Sequence, residues 1–166
     1  MGMVMYLRRA TPAEIERFSA DPASAEPFFF PDAGGGDDAA LIDFDKAWDA
    51  LHFLFTEGEM SGDHPLGLIA EKTPFLRTGP IGSFEFSIVA PERLAVFAAA
   101  LAQVDDRTLR DRYDPAAMAD AEVYLADDFL DDGPDALDYI MQSVPALRQW
   151  AANGAAAGDG ALRVLS

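Results

Sequence analysis

The sequence predicts an α+β fold in which a small, mainly antiparallel sheet carries several helices. Apolar runs near both ends, Met3–Arg8 and Leu162–Leu165, are typical of short strands. Phe84–Val89 alternates along the chain in the manner of a strand with one buried face. Because terminal strands are commonly held by a sheet, we expect Leu162–Leu165 to pair with another strand, with Met3–Tyr6 as the candidate.

The composition indicates one globular domain spanning residues 1–166, in a chain half of whose residues are hydrophobic. The absence of cysteine excludes disulfides and thiolate zinc sites and is compatible with a reducing compartment. The chain shows no secretory signal pattern and no apolar stretch long enough to span a bilayer, so we expect a cytoplasmic protein.

The chain is strongly acidic, with a formal net charge of −17. This charge disfavours nucleic acid and anionic membranes as partners and permits a basic protein partner. We find no glycine-rich phosphate loop, dinucleotide fingerprint, zinc-protease motif or serine nucleophile elbow. We therefore expect no cofactor and no metal site.

The first elements are a capped helix and a loop. Thr11 and Glu14 form a capping-box pattern around Pro12, which predicts a helix to about Ala20. The segment 21–38 is rich in proline and glycine, including three consecutive glycines at 34–36, and reads as a loop. The three phenylalanines at 28–30 must be largely buried, since they would otherwise form an exposed apolar patch.

The best-marked helix, over residues 45–57, is expected to lie near the middle of the domain. Asp45 suits the N-cap, and Gly58 suits the position just past the end. Apolar residues form one broad face, and Phe53 lies opposite, which predicts a helix covered on two sides. We expect its core residues to be Trp48, Leu51 and Phe55.

His52 is the best single site candidate, because Asp45, Asp49 and Thr56 fall on the same border of this helix. An imidazole beside carboxylates can act as a general base or bind a metal. In the enzyme hypothesis, His52 works with Asp45 or Asp49 in a pocket near Trp48 and Tyr6. The alternative is a histidine hydrogen-bonded at the edge of the core, which is the commoner situation.

The second half of the chain is predominantly helical. The sequence predicts a short helix at 66–71, helices at 91–104 and 105–113, one starting at Asp114-Pro115, and one at 135–152. Pro145 should kink or restart the last of these, and Asn153-Gly154 should end it. Residues 155–160 are expected to form a flexible connector. His64 is expected to be a surface loop residue.

An acidic segment, defined as residues 114–138, is the predicted docking surface for a basic partner. The longer stretch 114–147 contains no lysine, arginine or histidine. Four aspartates are central to the acidic segment and are candidate binding residues together with Trp48 and Tyr6: Asp127, Asp128, Asp131 and Asp132.

Residues 45–54, Asp-Lys-Ala-Trp-Asp-Ala-Leu-His-Phe-Leu, resemble the signature helix of the YfbM-like family of small bacterial proteins. The start at Met1–Met3 with Tyr6, the segment 65–67, the region of Tyr124 and the segment 78–81 also resemble parts of this family. Leu125 departs from the family pattern, in which proline is usual. The resemblance implies a compact α+β domain and supplies no reaction.

Together these observations favour a non-enzymatic binding or interaction protein, of a regulatory or immunity type, that binds a basic partner. The alternative is an enzyme of unassigned reaction that uses His52. The two hypotheses differ in a structural property: the enzyme requires His52 to be exposed in a pocket, whereas the binding protein allows it to be sealed.

Overall fold

The fold is organised around a sheet whose middle strand comes from the C-terminus. The computed structural model describes residues 2–31, 38–59, 63–80 and 83–166. Within these residues the strands are β1 Met5–Ala10, β2 Leu41–Asp43, β3 Leu76–Arg77, β4 Glu85–Val89 and β5 Gly160–Leu165. Their order is β2-β1-β5-β4-β3, and every neighbouring pair is antiparallel.

The predicted pairing of the two chain ends is confirmed. β5 lies against β1 with Tyr6 opposite Val164, and backbone hydrogen bonds between Val4 and Ser166 extend the pairing by one step. β5 also pairs with β4, so its backbone is hydrogen-bonded along both edges. This central position means that residues on both faces of β5 are covered by other elements.

The helices lie mainly on one face of the sheet. They are α1 Pro12–Ala20, α2 Ala25–Phe29, α3 Trp48–Thr56, α4 Pro91–Leu101, α5 Asp106–Asp111, α6 Pro115–Asp120, α7 Ala126–Asp132, α8 Pro134–Met141 and α9 Val144–Ala157. Short 3₁₀ turns cover Pro22–Ser24, Asp45–Ala47 and Gly67–Ile69. The α+β prediction is confirmed, and no described helix is long and apolar enough to cross a membrane.

Several local predictions hold. Thr11 and Glu14 form the expected capping box, in which the Glu14 amide donates to Thr11 Oγ1 at 3.3 Å and the Thr11 amide donates to Glu14 Oε2 at 2.8 Å. The side chain of Asp114 caps α6. Pro145 stands in the first turn of α9 after a break at residues 142–143, so it restarts the helix as predicted.

Two hydrophobic clusters sandwich the sheet. The larger contains α3, α4 and α9, and Leu51 and Phe55 are fully buried in it. The smaller lies under α1 and α2 on the opposite face and contains Phe29. Phe30 is 47% exposed, so the expectation that all three phenylalanines at 28–30 are largely buried is only partly correct. The glycines at 34–36 lie outside the described residues.

The strand prediction for Phe84–Val89 requires a correction. Phe86 packs in the smaller cluster, but Ser87 and Val89 on the opposite face are also buried. β4 lies between β5 and β3 with side chains covering both faces, so the alternation of residue types does not mark one solvent-facing side.

The end of the last helix was also predicted too early. α9 runs through Gly154 to Ala157, and Gly158 ends it in a left-handed conformation at φ 72°. A Cβ at Gly154 would lie 3.0 Å from Leu94 Cδ2, so this glycine permits close helix packing and does not end the helix. The predicted connector at 155–160 is therefore helix, cap and strand.

The start of the 45–57 helix differs from the prediction as well. Residues 45–47 form a 3₁₀ turn, and the Asp45 side chain makes no capping bond. Asp45 has φ 49°, and its amide donates to Asp43 Oδ1 at 2.7 Å. At the other end Glu57 is the cap residue with φ 54°, and Gly58 follows with φ 82°, just past the end of the helix as predicted.

Candidate functional site

Asp45 and Asp49 are each engaged by residues far away in the sequence. Asp45 Oδ2 accepts a hydrogen bond from the Tyr139 hydroxyl at 2.9 Å. Asp49 is 7% exposed, and its Oδ2 accepts from the Tyr124 amide at 2.9 Å. Burial raises the pKa of Asp49, and the bond from Tyr124 partly offsets this effect. Through these two hydrogen bonds, Asp49 holds the acidic segment, and Asp45 holds the residue that follows it, against residues 45–56.

Burial and the hydrogen bond to Asp45 raise the pKa of Tyr139 to about 12. The same hydroxyl oxygen accepts from the Lys46 amide at 3.3 Å. The phenol is therefore a neutral donor at physiological pH, and its contacts fix α8 against the start of α3.

His52 is sealed inside the protein, with 1% of its surface exposed. Its Nδ1 is buried and has no hydrogen-bond partner among the described residues. Burial lowers the pKa of His52 to about 4, with smaller contributions from the positive charges of His64 and Arg163. The imidazole is accordingly neutral at physiological pH, and neither Asp45 nor Asp49 hydrogen-bonds to it.

Tyr6 and Trp48 lie on opposite faces of the sheet. Tyr6 packs edge-on against Phe29 and Phe30 in the smaller cluster, with ring centroids 6.4 and 6.0 Å away. Trp48 packs beside the larger cluster, where its indole lies 6.1 Å from the Tyr124 ring. The structure thus does not gather these two residues into one pocket.

Trp48 is only partly buried, so the prediction that it is a core residue is wrong. Its Nε1 donates to the Met3 carbonyl at 3.2 Å, close to the end of the sheet. This position makes the indole part of the wall of a cavity, which the sequence did not predict.

The cavity has a volume of about 220 Å³ and lies where β1 and β5 meet the segment after the 3₁₀ turn at 67–69. Its wall is mostly apolar and aromatic, with three charged side chains. The lining residues are Met5, Trp48, Ile69, Ala70, Glu71, Lys72, Thr73, Phe75, Arg163 and Leu165.

Arg163 is the unusual member of this wall, because it is a β5 residue with only 3% of its surface exposed. Its Nε donates to Ser87 Oγ at 3.1 Å and its Nη1 to the Leu68 carbonyl at 2.7 Å. Nη2 donates to the Glu71 carbonyl and to Thr73 Oγ1. Burial lowers the pKa of Arg163 to about 10, so the side chain stays charged at physiological pH.

Glu71 has the only carboxylate side chain among these lining residues, and that carboxylate is hydrogen-bonded to Arg93. Glu71 Oε1 accepts from Arg93 Nε at 3.1 Å, and Arg93 also donates to the Pro65 and His64 carbonyls at 2.9 and 3.0 Å. His64 lies in a loop as expected, but it is partly buried, and its Nδ1 accepts from the Leu66 amide at 3.0 Å.

The acidic segment presents its aspartates to solvent. On α7, all four predicted binding residues are exposed, and no ion pair involves them within the described part of the chain: Asp127, Asp128, Asp131 and Asp132. Leu130, between them, is 52% exposed. Asp138 pairs with Arg110 at 2.9 Å, so that carboxylate is partly neutralised.

The end of α7 is held in place by hydrogen bonds from the partly buried Tyr113. The Tyr113 hydroxyl lies 3.2 Å from the Phe129 carbonyl and 3.1 Å from the Gly133 carbonyl.

Residues 2–31, 38–59, 63–80 and 83–166 contain no group of three or more histidines or carboxylates arranged to hold a metal ion.

These features define an α+β protein with one antiparallel sheet, an acidic helical face and a small cavity beside a buried arginine. The chain belongs to the family described as a domain of unknown function, DUF1877, whose model matches residues 1–164. No curated protein matches it.

A solved structure supports the same fold. The crystal structure of YfbM from Escherichia coli, a protein of unknown function, covers 98% of this chain and 99% of its own, with a TM-score of 0.67 and 17% identity. At this identity the likeness concerns the fold alone. The resemblance predicted from residues 45–54 is confirmed by the family match.

Sequence reasoning missed Arg163 and the cavity. A signal was present, since Arg163 is the one charged residue in the apolar run 161–165. In a central strand such a residue has no access to solvent and must find partners inside the protein.

Proposed function

We propose that this protein is a non-enzymatic binding protein of a regulatory or immunity type, and that its acidic segment docks a basic protein partner. The observation that carries the proposal is the exposed face of α7. Four aspartates project from one short helix without a paired cation among the described residues, beside the exposed Leu130.

The negative charge of this face is the property that would attract a basic partner. Clustered carboxylates produce a negative potential that attracts a basic surface and speeds encounter, while an apolar residue among them offers desolvated contact after docking. Tyr113 holds the helix end in place, so the face is prearranged and loses less conformational freedom on binding.

The alternative is an enzyme that uses His52 with Asp45 or Asp49. The buried, unpartnered Nδ1 of His52 is the feature that favours it. The binding hypothesis receives more support, because His52 is sealed and both aspartates hydrogen-bond to tyrosine groups of the C-terminal half.

The test is affinity capture from the source cell, followed by identification of the partner and direct binding. One variant changes the four α7 aspartates to asparagine: Asp127, Asp128, Asp131 and Asp132. A matched control removes four exposed charges elsewhere, by Glu16→Gln, Asp21→Asn, Glu26→Gln and Glu92→Gln. Because both variants lose the same net charge, only position distinguishes them.

We expect the α7 variant to lose the partner and the control variant to retain most binding. Recovery should also fall as salt rises, because exposed charges are screened beyond about 8 Å at physiological ionic strength. Equal recovery by both variants would reject α7 as the docking surface.

A further inference from the structure

The cavity beside Trp48 has the wall of a small-molecule site and room for a compact ligand only. Its volume of about 220 Å³ is below the range of roughly 300–1,000 Å³ that accommodates drug-sized ligands. Aliphatic side chains of Met5, Ile69 and Leu165 and the rings of Trp48 and Phe75 supply most of the wall. A compact ligand with an apolar or aromatic body therefore matches the larger part of this surface.

The polar part of the wall is dominated by a buried cation. Arg163 makes its hydrogen bonds to neutral acceptors, namely two carbonyls and two hydroxyls. No ion pair involves it within the described residues, and the nearby Glu71 carboxylate bonds to Arg93 instead. The Glu71 carboxylate still favours the charged form of Arg163 from a distance, but it makes no direct pair with the guanidinium, and a buried charge without a direct ion pair is costly.

The donor inventory of the guanidinium also leaves room for a ligand. Arginine has five N–H donors, and the contacts above use one on Nε, one on Nη1 and two on Nη2. The second Nη1 hydrogen has no acceptor among the described residues. An anionic oxygen in the cavity would accept a hydrogen bond from this hydrogen and would be the directly bonded anion that Arg163 otherwise lacks among the described residues.

A purely structural role explains only part of these contacts. Arg163 clamps the segment from Leu68 to Thr73 onto the sheet, and neutral side chains could provide such a clamp without burying a charge. The structural role leaves unexplained why the charge lies at the wall of a mainly apolar cavity. Lys72, exposed at the same wall, adds positive charge.

We propose that this cavity binds a small monocarboxylate with an apolar or aromatic body, whose carboxylate is held by Arg163 and whose body packs against Trp48 and Phe75. This site is separate from the acidic segment, so the proposal does not depend on the proposed function. Binding forms no covalent bond and requires no cofactor.

The test uses benzoate, phenylacetate and hexanoate as probes, each compared with its neutral amide. Binding is followed by the indole N–H resonance of Trp48, distinguished from that of Trp150 by its loss in Trp48→Phe. We expect at least one carboxylate to shift this resonance saturably, and its amide to bind at least tenfold more weakly. The amide comparison isolates the charge because it preserves the shape of the ligand.

Two variants tie binding to the cavity. Ala70→Leu adds volume to the wall and should weaken binding of the carboxylate at least tenfold, whereas Ala116→Leu, at an exposed position on α6, should leave it unchanged. Unfolding curves of both proteins establish that they are folded under the binding conditions.

Three results would overturn the proposal: no saturable shift with any of the carboxylates, equal binding of a carboxylate and its amide, or equal binding by Ala70→Leu and the parent. None of these results changes what is expected of the α7 variant in the partner-binding experiment. This proposal and the proposed function can therefore fail independently.

Discussion

Replacing His52 by glutamine should make the free energy of unfolding depend less on pH between about 6.5 and 4. The folded protein holds the pKa of His52 near 4, against 6.5 for a free histidine. Below pH 6.5 the unfolded chain therefore binds a proton at His52 that the folded protein does not bind. The free energy of unfolding consequently falls as the pH drops from 6.5 towards 4, and this contribution is constant below about 4.

The magnitude follows from this difference. At about 1.4 kcal/mol for each pH unit, the fall between pH 6.5 and 5 is roughly 2 kcal/mol, and the limit at pH 4 is roughly 3 kcal/mol. This is a large share of a stability of about 5–15 kcal/mol. The raised pKa of Asp49 acts in the opposite direction, but it is common to both proteins and largely cancels in their difference.

The assay is urea unfolding of the parent and of His52→Gln at several pH values from about 7.5 to about 5, with linear extrapolation to water. We expect the parent to lose roughly 2 kcal/mol more than the variant over this range. Parallel curves would refute the reasoning, because they would mean that His52 titrates alike in the folded and unfolded protein.

Three further substitutions test the packing. Trp48→Ala should cost roughly 1–3 kcal/mol, less than the 3–5 kcal/mol of a fully buried tryptophan, and chemical denaturation measures it. Tyr139→Phe should cost about 1–2 kcal/mol through the lost bond to Asp45, a loss that Asp45→Asn should reduce in a double-mutant cycle. Gly160→Ala should lower the Tm, because the new Cβ would collide with the Val89 carbonyl; an unchanged Tm would contradict that close approach.

The parts of the fold that sequence predicted are those determined by neighbouring residues. The capping box at Thr11, the restart at Pro145 and the cap at Asp114 each involve groups within a few positions of one another. The pairing of the chain ends was also predictable, because an apolar terminal run has few alternatives to joining a sheet.

The site features depended on long-range contacts. Asp45 meets Tyr139 and Asp49 meets Tyr124, at separations of 94 and 75 residues, so helical spacing alone suggested His52 as their neighbour. Tyr6 was predicted to share a pocket with Trp48, but it packs on the other face of the sheet, because sequence alternation shows which residues share a face and not which helix covers it.

The central claim is that α7 recruits a basic partner, and the association rate constant of the captured partner tests it most directly. The rate should be measured at low and at high salt for the parent, the α7 variant and the charge-matched control. We predict that salt slows association by about tenfold or more for the parent and the control and has little effect on the α7 variant. Equal salt dependence in the α7 variant and the control would contradict the claim.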